Sequence, residues 1–369
     1  MGDLIVTTAA LEAACEAARS GGYLSLDTEF VWRQTYLPQL GIVQLGAGGE
    51  CRAVDCAKGL DPSPLGAAVA DECIVKILHD ARQDLALVKR YTGASPKNVF
   101  DTQLAAAFAG LPARLSLQKL LTETVGITLP KTETMTDWTQ RPLTPQQMSY
   151  ALDDVRYLGE ARAELIERAR KLGTLAWMEE EMRVYEDPSL YGDPDPDEQW
   201  KRVKCGGVRL DGRGLACLRA LAATRERMAM EWNIPRAWLG DDASLAEMAA
   251  DGPKDSARLR FRHRLRNRGQ QALVAAAFAK ALKEGAAVPE EECPVDFHPH
   301  YISEVKEAAD EAMEFMRQRA EEIHVDPAVI ANRATVTAWV DDPGDPENPL
   351  AGGWRYEVVG RDIAEKFEV

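Results

Sequence analysis

Four carboxylates and one phenol stand out for their types and their spacing. LDTEF at 26–30 carries Asp27 and Glu29, HDARQD at 79–84 ends in Asp84, and YALDD places Tyr150 four residues before Asp154. On a strand, residues i and i+2 share a face, so Asp27 and Glu29 point the same way. On a helix, residues i and i+4 share a face, so Tyr150 and Asp154 do too. Carboxylates that close repel one another unless a cation neutralises them. With Asp84 and Asp154 added, the donors are all hard oxygens, the set suited to Mg²⁺ or Mn²⁺. Two such ions about 4 Å apart can clamp the attacking and leaving oxygens of an in-line phosphoryl displacement. Tyr150 is placed to hold the attacking water. Taken singly, a DTE stripe is more often solvated surface, and YxxxD is more often an exposed pair. It is their joint order that points to phosphodiester hydrolysis.

The elements that must position these groups are readable around them. LIVT at 4–7, YLSLDTEF, LGIVQLGA at 40–47, CRAVDC at 51–56, IVKILH at 74–79 and NVFDT at 98–102 read as strands. Gly48–Gly49–Glu50 suits a hairpin. Helical patterns start near Thr8 and fall around 82–91 and 102–109, and such alternation indicates an α/β domain. Thr144, Pro145 and Gln147 form a capping-box start for the helix bearing Tyr150 and Asp154, and helical pattern then runs to about 185. Asp84 falls on the helix after a strand, which sets Asp80 aside. Asp101 reads as a cap or supporting group rather than a ligand.

With these motifs in place, the chain resembles the DEDD superfamily of 3′–5′ exonucleases and is most similar to its bacterial ribonuclease D members. Tyr150 in the third motif places it in the DEDDy branch, and the only histidine before residue 200 is His79, inside the second motif. The family's YxxxD spacing selects Asp154 over Asp153. WRQTYLPQLGIVQL at 32–45 and TDWTQRPLTPQQMSYALDDVRYL at 136–158 extend the likeness. The resemblance implies a ribonuclease H-like α/β domain with a mixed sheet, followed by two all-α HRDC-type modules. It implies catalytic and metal-binding roles for Asp27, Glu29, Asp84 and Asp154, a catalytic role for Tyr150, and two divalent ions. It also implies substrate contacts from Trp32, Tyr36, Gln44, His79, Trp138 and Arg141. The expected activity is removal of nucleoside 5′-monophosphates from RNA 3′ ends, on tRNA precursors and small structured RNAs. A 3′–5′ DNA exonuclease and a catalytically silent RNA-binding protein are the alternatives.

The implied divisions are residues 1–186 for the exonuclease, 187–202 for a Pro- and Asp-rich linker, 203–284 for one HRDC module and 295–369 for a divergent second. Charge follows these divisions. The net charge is −15. Residues 201–283 carry 18 Lys/Arg against 8 Asp/Glu, whereas residues 284–369 carry 7 against 21. The basic module is an electrostatic footprint for phosphate backbones. Its arginines at 258, 260, 262, 264, 266 and 268 are expected on a helix, which would spread them around its surface. The acidic module is expected to pack against the rest or shape an opening to the site. No apolar run reaches the ~18 residues of a membrane span, and the acidic start does not read as a secretory signal. Gly2 is not followed by Ser or Thr at position 6, so acylation is not expected. Seven cysteines without CxxC pairs read as reduced thiols of a cytoplasmic protein, expected to be a monomer.

Overall fold

A computed structural model describes residues 3–130, 136–295 and 301–367. Gly2, weighed above for acylation, lies outside them. The chain gathers into two compact units: residues 1–31, 40–192 and 301–369 in the first, 32–39 and 193–300 in the second.

The first unit is built on six strands: β1 (Leu4–Ile5), β2 (Tyr23–Val31), β3 (Gln39–Ala47), β4 (Glu50–Asp55), β5 (Val75–Leu78) and β6 (Val99–Asp101). They form one sheet in the order β1-β4-β3-β2-β5-β6. It is mixed: β1 runs parallel to β4, β2 to β5 and β5 to β6, while β3 and β4 are the antiparallel hairpin expected at Gly48–Gly49. The middle of the sheet is buried, with Leu24, Leu26, Val43 and Leu45 in its core, beneath covering helices. These are α1 (Thr8–Gly21), α2 (Ser63–Ala70), α3 (Arg82–Thr92), α4 (Thr102–Phe108), α5 (Leu117–Val125), α6 (Pro145–Arg156), α7 (Leu158–Leu172) and α8 (Leu175–Met182). Helix α6 begins at the expected capping box: Thr144 Oγ1 accepts from Gln147 N, and Gln147 Oε1 accepts from Thr144 N.

The second unit contains α9 (Gly212–Trp232), α10 (Arg236–Leu239), α11 (Asp242–Asp251) and α12 (Arg268–Ala286), with breaks at Asn233–Ile234–Pro235 and after Asp251 at Gly252–Pro253. Its own core includes Leu218, Leu221, Leu245, Phe278 and Leu282. Segment 32–39 belongs to this unit, with Tyr36 Oη donating to the buried Glu226 at 2.6 Å and Tyr36 N and Leu37 N donating to Asn233 Oδ1.

The arginine series departs from the helical expectation. After a 3₁₀ turn at Ser256–Arg258, no helix forms until α12 begins at Arg268. Leu259 and Leu265 are buried and Phe261 is half-buried, whereas Arg258, Arg260, Arg262, Arg264, Arg266 and Arg268 are all exposed. Apolar-in, basic-out alternation with a period of two is the signature of an extended chain. The guanidiniums therefore form a ridge instead of encircling a helix.

Residues 301–367 fold as α13 (Ser303–Glu322), α14 (Pro327–Ile330), α15 (Arg333–Asp341), α16 (Gly353–Arg355) and α17 (Arg361–Phe367). They share one hydrophobic core with the sheet, so compactness joins them to residues 1–31 and 40–192. Trp354 stacks on Trp177 at 5.9 Å and meets Phe108 edge-on at 5.2 Å. Arg355 forks onto Glu181 at 2.6 and 2.8 Å. The acidic surface of these helices faces outward while their apolar face does the packing.

Residues 187–202, read as a linker, are folded. Asp187 and Asp195 each accept a backbone N–H two residues on, and Pro188 and Pro196 follow them as first residues of 3₁₀ turns. Asp-Pro here acts as a helix-starting cap and not as a breaker. The turns bury Tyr191 in the first unit's core and Trp200 in the second's.

Candidate active site

β2 delivers Asp27 and Glu29 from the middle of the sheet, and α6 delivers Asp154 to meet them. One carboxylate oxygen from each of Asp27, Glu29 and Asp154 lies within 4.8 Å of the others. Asp153, by contrast, pairs with Arg156 at 3.0 Å. Asp84, in the first turn of α3, accepts a hydrogen bond from the Thr28 hydroxyl. Gln44 on β3 donates to Asp27 Oδ2 at 3.2 Å, while its buried Oε1 has no partner.

The electrostatics are those of an uncompensated acidic cluster. Burial, then the charges of Asp84, Asp154 and Glu29, push the Asp27 carboxyl well above its usual range. Burial, with Asp154 and Asp84, pushes Glu29 up to about 8. Burial and Asp153 push Asp154 up to about 7, against a hydrogen bond from Tyr150 that favours its charged form. Burial pushes Asp84 up to about 6, with the Thr28 hydroxyl opposing. Tyr150 holds its own proton more tightly than a free phenol, from burial and from Asp154, Glu29 and Asp27 nearby. Among the described residues no Lys or Arg is ion-paired with any of the four carboxylates. Four hard-oxygen donors that lack a protein cation fit divalent metal ions. A cleft of about 210 Å³ bordered by Leu129, Pro130, Gln146 and Ser149 adjoins Tyr150 and Asp154.

The substrate contacts inferred from sequence fare differently. Arg141 uses all five donors inside the protein. Nε and Nη2 fork onto the fully buried Asp55 at 2.9 and 2.7 Å, Nη2 also reaches Gly41 O, and Nη1 reaches Trp138 O and Gln140 O. A guanidinium has five N–H groups, so none remains for a phosphate. It pins the Trp138 segment against β3, where a Cβ on Gly41 would sit 2.5 Å from Trp138 O. Trp138 is itself buried, its ring 6.1 Å from that of Tyr150, and serves as the floor under the phenol. His79 is engaged at both nitrogens, with Thr102 Oγ1 at 2.9 Å and Leu115 O at 3.0 Å, and burial lowers its basicity. Arg141 and His79 thus have their polar groups engaged within the protein, and Trp138 and Gln44 are buried. Of the other two, Trp32 is exposed, while Tyr36 is tied to Glu226 within the second unit. Thr28 went unnoticed in the sequence because strand alternation assigns it to the face opposite Asp27 and Glu29. No local pattern flags its hydroxyl.

A family model described as a 3′–5′ exonuclease matches residues 3–169. Ribonuclease D of Acidiphilium cryptum is 33% identical over 371 residues, covering 97% of this chain and 91% of its own length. Ribonuclease D of Desulfotalea psychrophila is 41% identical over 252 residues, 68% of this chain and 67% of its own. The crystal structure of Escherichia coli RNase D, described as an exoribonuclease involved in structured RNA processing, superposes with a TM-score of 0.86 at 28% identity. That likeness covers 98% of this chain and 97% of the other.

Proposed function

The chain belongs to the ribonuclease D family of 3′–5′ exoribonucleases, and from that premise we propose that it removes nucleoside 5′-monophosphates from RNA 3′ ends with two divalent ions held by Asp27, Glu29, Asp84 and Asp154. The observation that carries this reading is the convergence of Asp27, Glu29 and Asp154, from β2 and α6, on one point. Asp27, Glu29 and Asp154 would hold the ion on the nucleophile side, with Asp27 shared and Asp84 supporting the second. When bound, Mg²⁺ or Mn²⁺ ions supply charge neutralisation for the in-line displacement and acidify the attacking water. Tyr150, one helical turn before Asp154 on the same face of α6, orients that water. Trp138 beneath the ring limits where the phenol can swing. Gln44 fixes one oxygen of Asp27 and Thr28 one of Asp84, so both carboxylates are oriented before substrate arrives.

RNA capture falls to the basic second unit. Residues two apart along an extended segment are about 6.6 Å apart, so its exposed arginines make a periodic ridge that suits backbone contact without base reading. Arg262 is engaged with Asp241 at 2.5 Å and Arg260 with backbone carbonyls. Arg258, Arg264, Arg266 and Arg268 are the ones we assign to phosphates. The substrates proposed are tRNA precursors and other small structured RNAs, with the protein acting as a monomer in the cytoplasm. All seven thiols are free, in keeping with a reducing compartment. Parallel digestion of a tRNA precursor with a short 3′ extension and of its DNA copy tests the assignment. Trimming of the RNA back to its folded stem supports it, and equal or faster loss of the DNA overturns it.

A further inference from the structure

Beyond the four acidic ligands, one more carboxylate governs the site from a distance. Asp101, 2% exposed at the end of β6, accepts five hydrogen bonds. Oδ1 takes Asp80 N at 3.0 Å, Gln103 N at 2.8 Å and Leu104 N at 3.3 Å. Oδ2 takes Ala81 N at 2.9 Å and the Tyr185 hydroxyl at 2.5 Å. Tyr185 is anchored in turn, its carbonyl accepting from Tyr191 Oη at 2.7 Å.

Two of the four backbone N–H groups that Asp101 grips, those of Asp80 and Ala81, belong to the turn between β5 and α3. Asp80 there has φ 60°, a left-handed conformation that costs a non-glycine residue energy and needs external support. α3 has no side-chain cap of its own. The first turn of that helix carries Asp84, three residues after Ala81. We propose that Asp101, oriented by Tyr185, is a positioning residue for the reaction: it locks the Asp80–Ala81 turn and so fixes where Asp84 stands relative to Asp27. This rests on the reading of Asp84 as a metal ligand.

The two oxygens of Asp101 divide the labour in a way that a substitution can separate. In Asp101→Asn the remaining carbonyl can keep the Oδ1 bonds, including the cap of α4, but a new NH₂ confronts Ala81 N–H. Tyr185→Phe leaves both oxygens and removes only the orienting hydroxyl. Ser116→Ala, which deletes the cap of α5, is the control for a loss of stability alone. Three quantities are measured: amide exchange of residues 79–85 in the metal-free proteins, Mn²⁺ binding by calorimetry, and kcat and KM on RNA. Asp101→Asn is expected to speed exchange in that turn, weaken Mn²⁺ binding on the order of tenfold and lower kcat with KM unchanged. Tyr185→Phe moves the same way by less. Wild-type exchange and Mn²⁺ affinity in Asp101→Asn, or behaviour matching Ser116→Ala, overturns the proposal. Should the wild-type protein bind no Mn²⁺, the two-ion reading fails, and the exchange comparison still decides whether Asp101 locks the turn.

Discussion

Removing one of the clustered carboxylates should make the metal-free protein more stable. Glu29 is the clearest case, because burial and the charges of Asp154 and Asp84 raise its carboxyl from 4.5 to about 8. Between those values the folded protein binds a proton that the unfolded chain does not, so metal-free stability falls as pH rises through this window. At about 1.4 kcal/mol per unit, an ionised Glu29 costs the fold about 5 kcal/mol, part of which its neighbours absorb by taking up protons themselves. Glu29→Gln keeps the shape and deletes the charge, and a relief of about 2–4 kcal/mol should raise Tm by roughly 4–8 °C at this size. The assay is thermal melting of both proteins in chelator at pH 4 and pH 8.5, repeated with Mn²⁺. At pH 4 the two should melt together, since Glu29 is protonated in folded and unfolded wild type alike. At pH 8.5 in chelator the variant should melt higher, and with Mn²⁺ the order should reverse as wild type gains binding energy the variant lacks. A variant that melts at or below wild type at pH 8.5 without metal would refute the claim that this cluster is strained by its own charge.

Further outcomes follow from the same geometry. Asp154→Asn should stay folded with almost no turnover, whereas Asp153→Asn, which loses only an exposed ion pair, should keep near-native kcat. Arg141→Met leaves Asp55 buried and unpaired, which should cost about 3–5 kcal/mol in chemical denaturation; an unchanged midpoint with a raised KM would return Arg141 to substrate binding. Changing Arg258, Arg264, Arg266 and Arg268 together to Gln should flatten the salt dependence of RNA binding by about 2.8 in log–log slope, at about 0.7 per contact on single strands. An unchanged slope would remove the ridge from the interface. Trp354→Ala should destabilise the first unit by about 3–5 kcal/mol, since the ring is buried against Phe108 and Trp177.

Much of the site was legible because its chemistry is local. Asp27 and Glu29 sit within one strand, Tyr150 and Asp154 within one helical turn, and Thr144 with Gln147 marks that helix's start, so short-range rules suffice. What escaped depends on distant partners. Nothing around Arg141 or His79 announces that Asp55, Thr102 and Leu115 will occupy their donors and acceptors, so both read as available to substrate. The arginines at 258–268 were assigned to a helix because their neighbours are helical, although Leu259, Phe261 and Leu265 already alternate as in an extended chain. Asp187–Pro188 and Asp195–Pro196 carry the composition of a linker but the geometry of caps, which only buried Tyr191 and Trp200 reveal. Residues 295–369 resemble a second HRDC-type module, and the apolar contacts by which residues 301–367 share the sheet's core are spread over several helices, where no short pattern announces them.

The most direct test is to follow a 3′-labelled and a 5′-labelled copy of one RNA with wild type and Asp154→Asn, in Mn²⁺, in Mg²⁺ and in chelator. The expected result is release of nucleoside 5′-monophosphate from the 3′ label first, one residue at a time, by wild type with either metal, and none in chelator or from Asp154→Asn. Release that persists without metal, starts at the 5′ end, or survives in the variant would contradict the account.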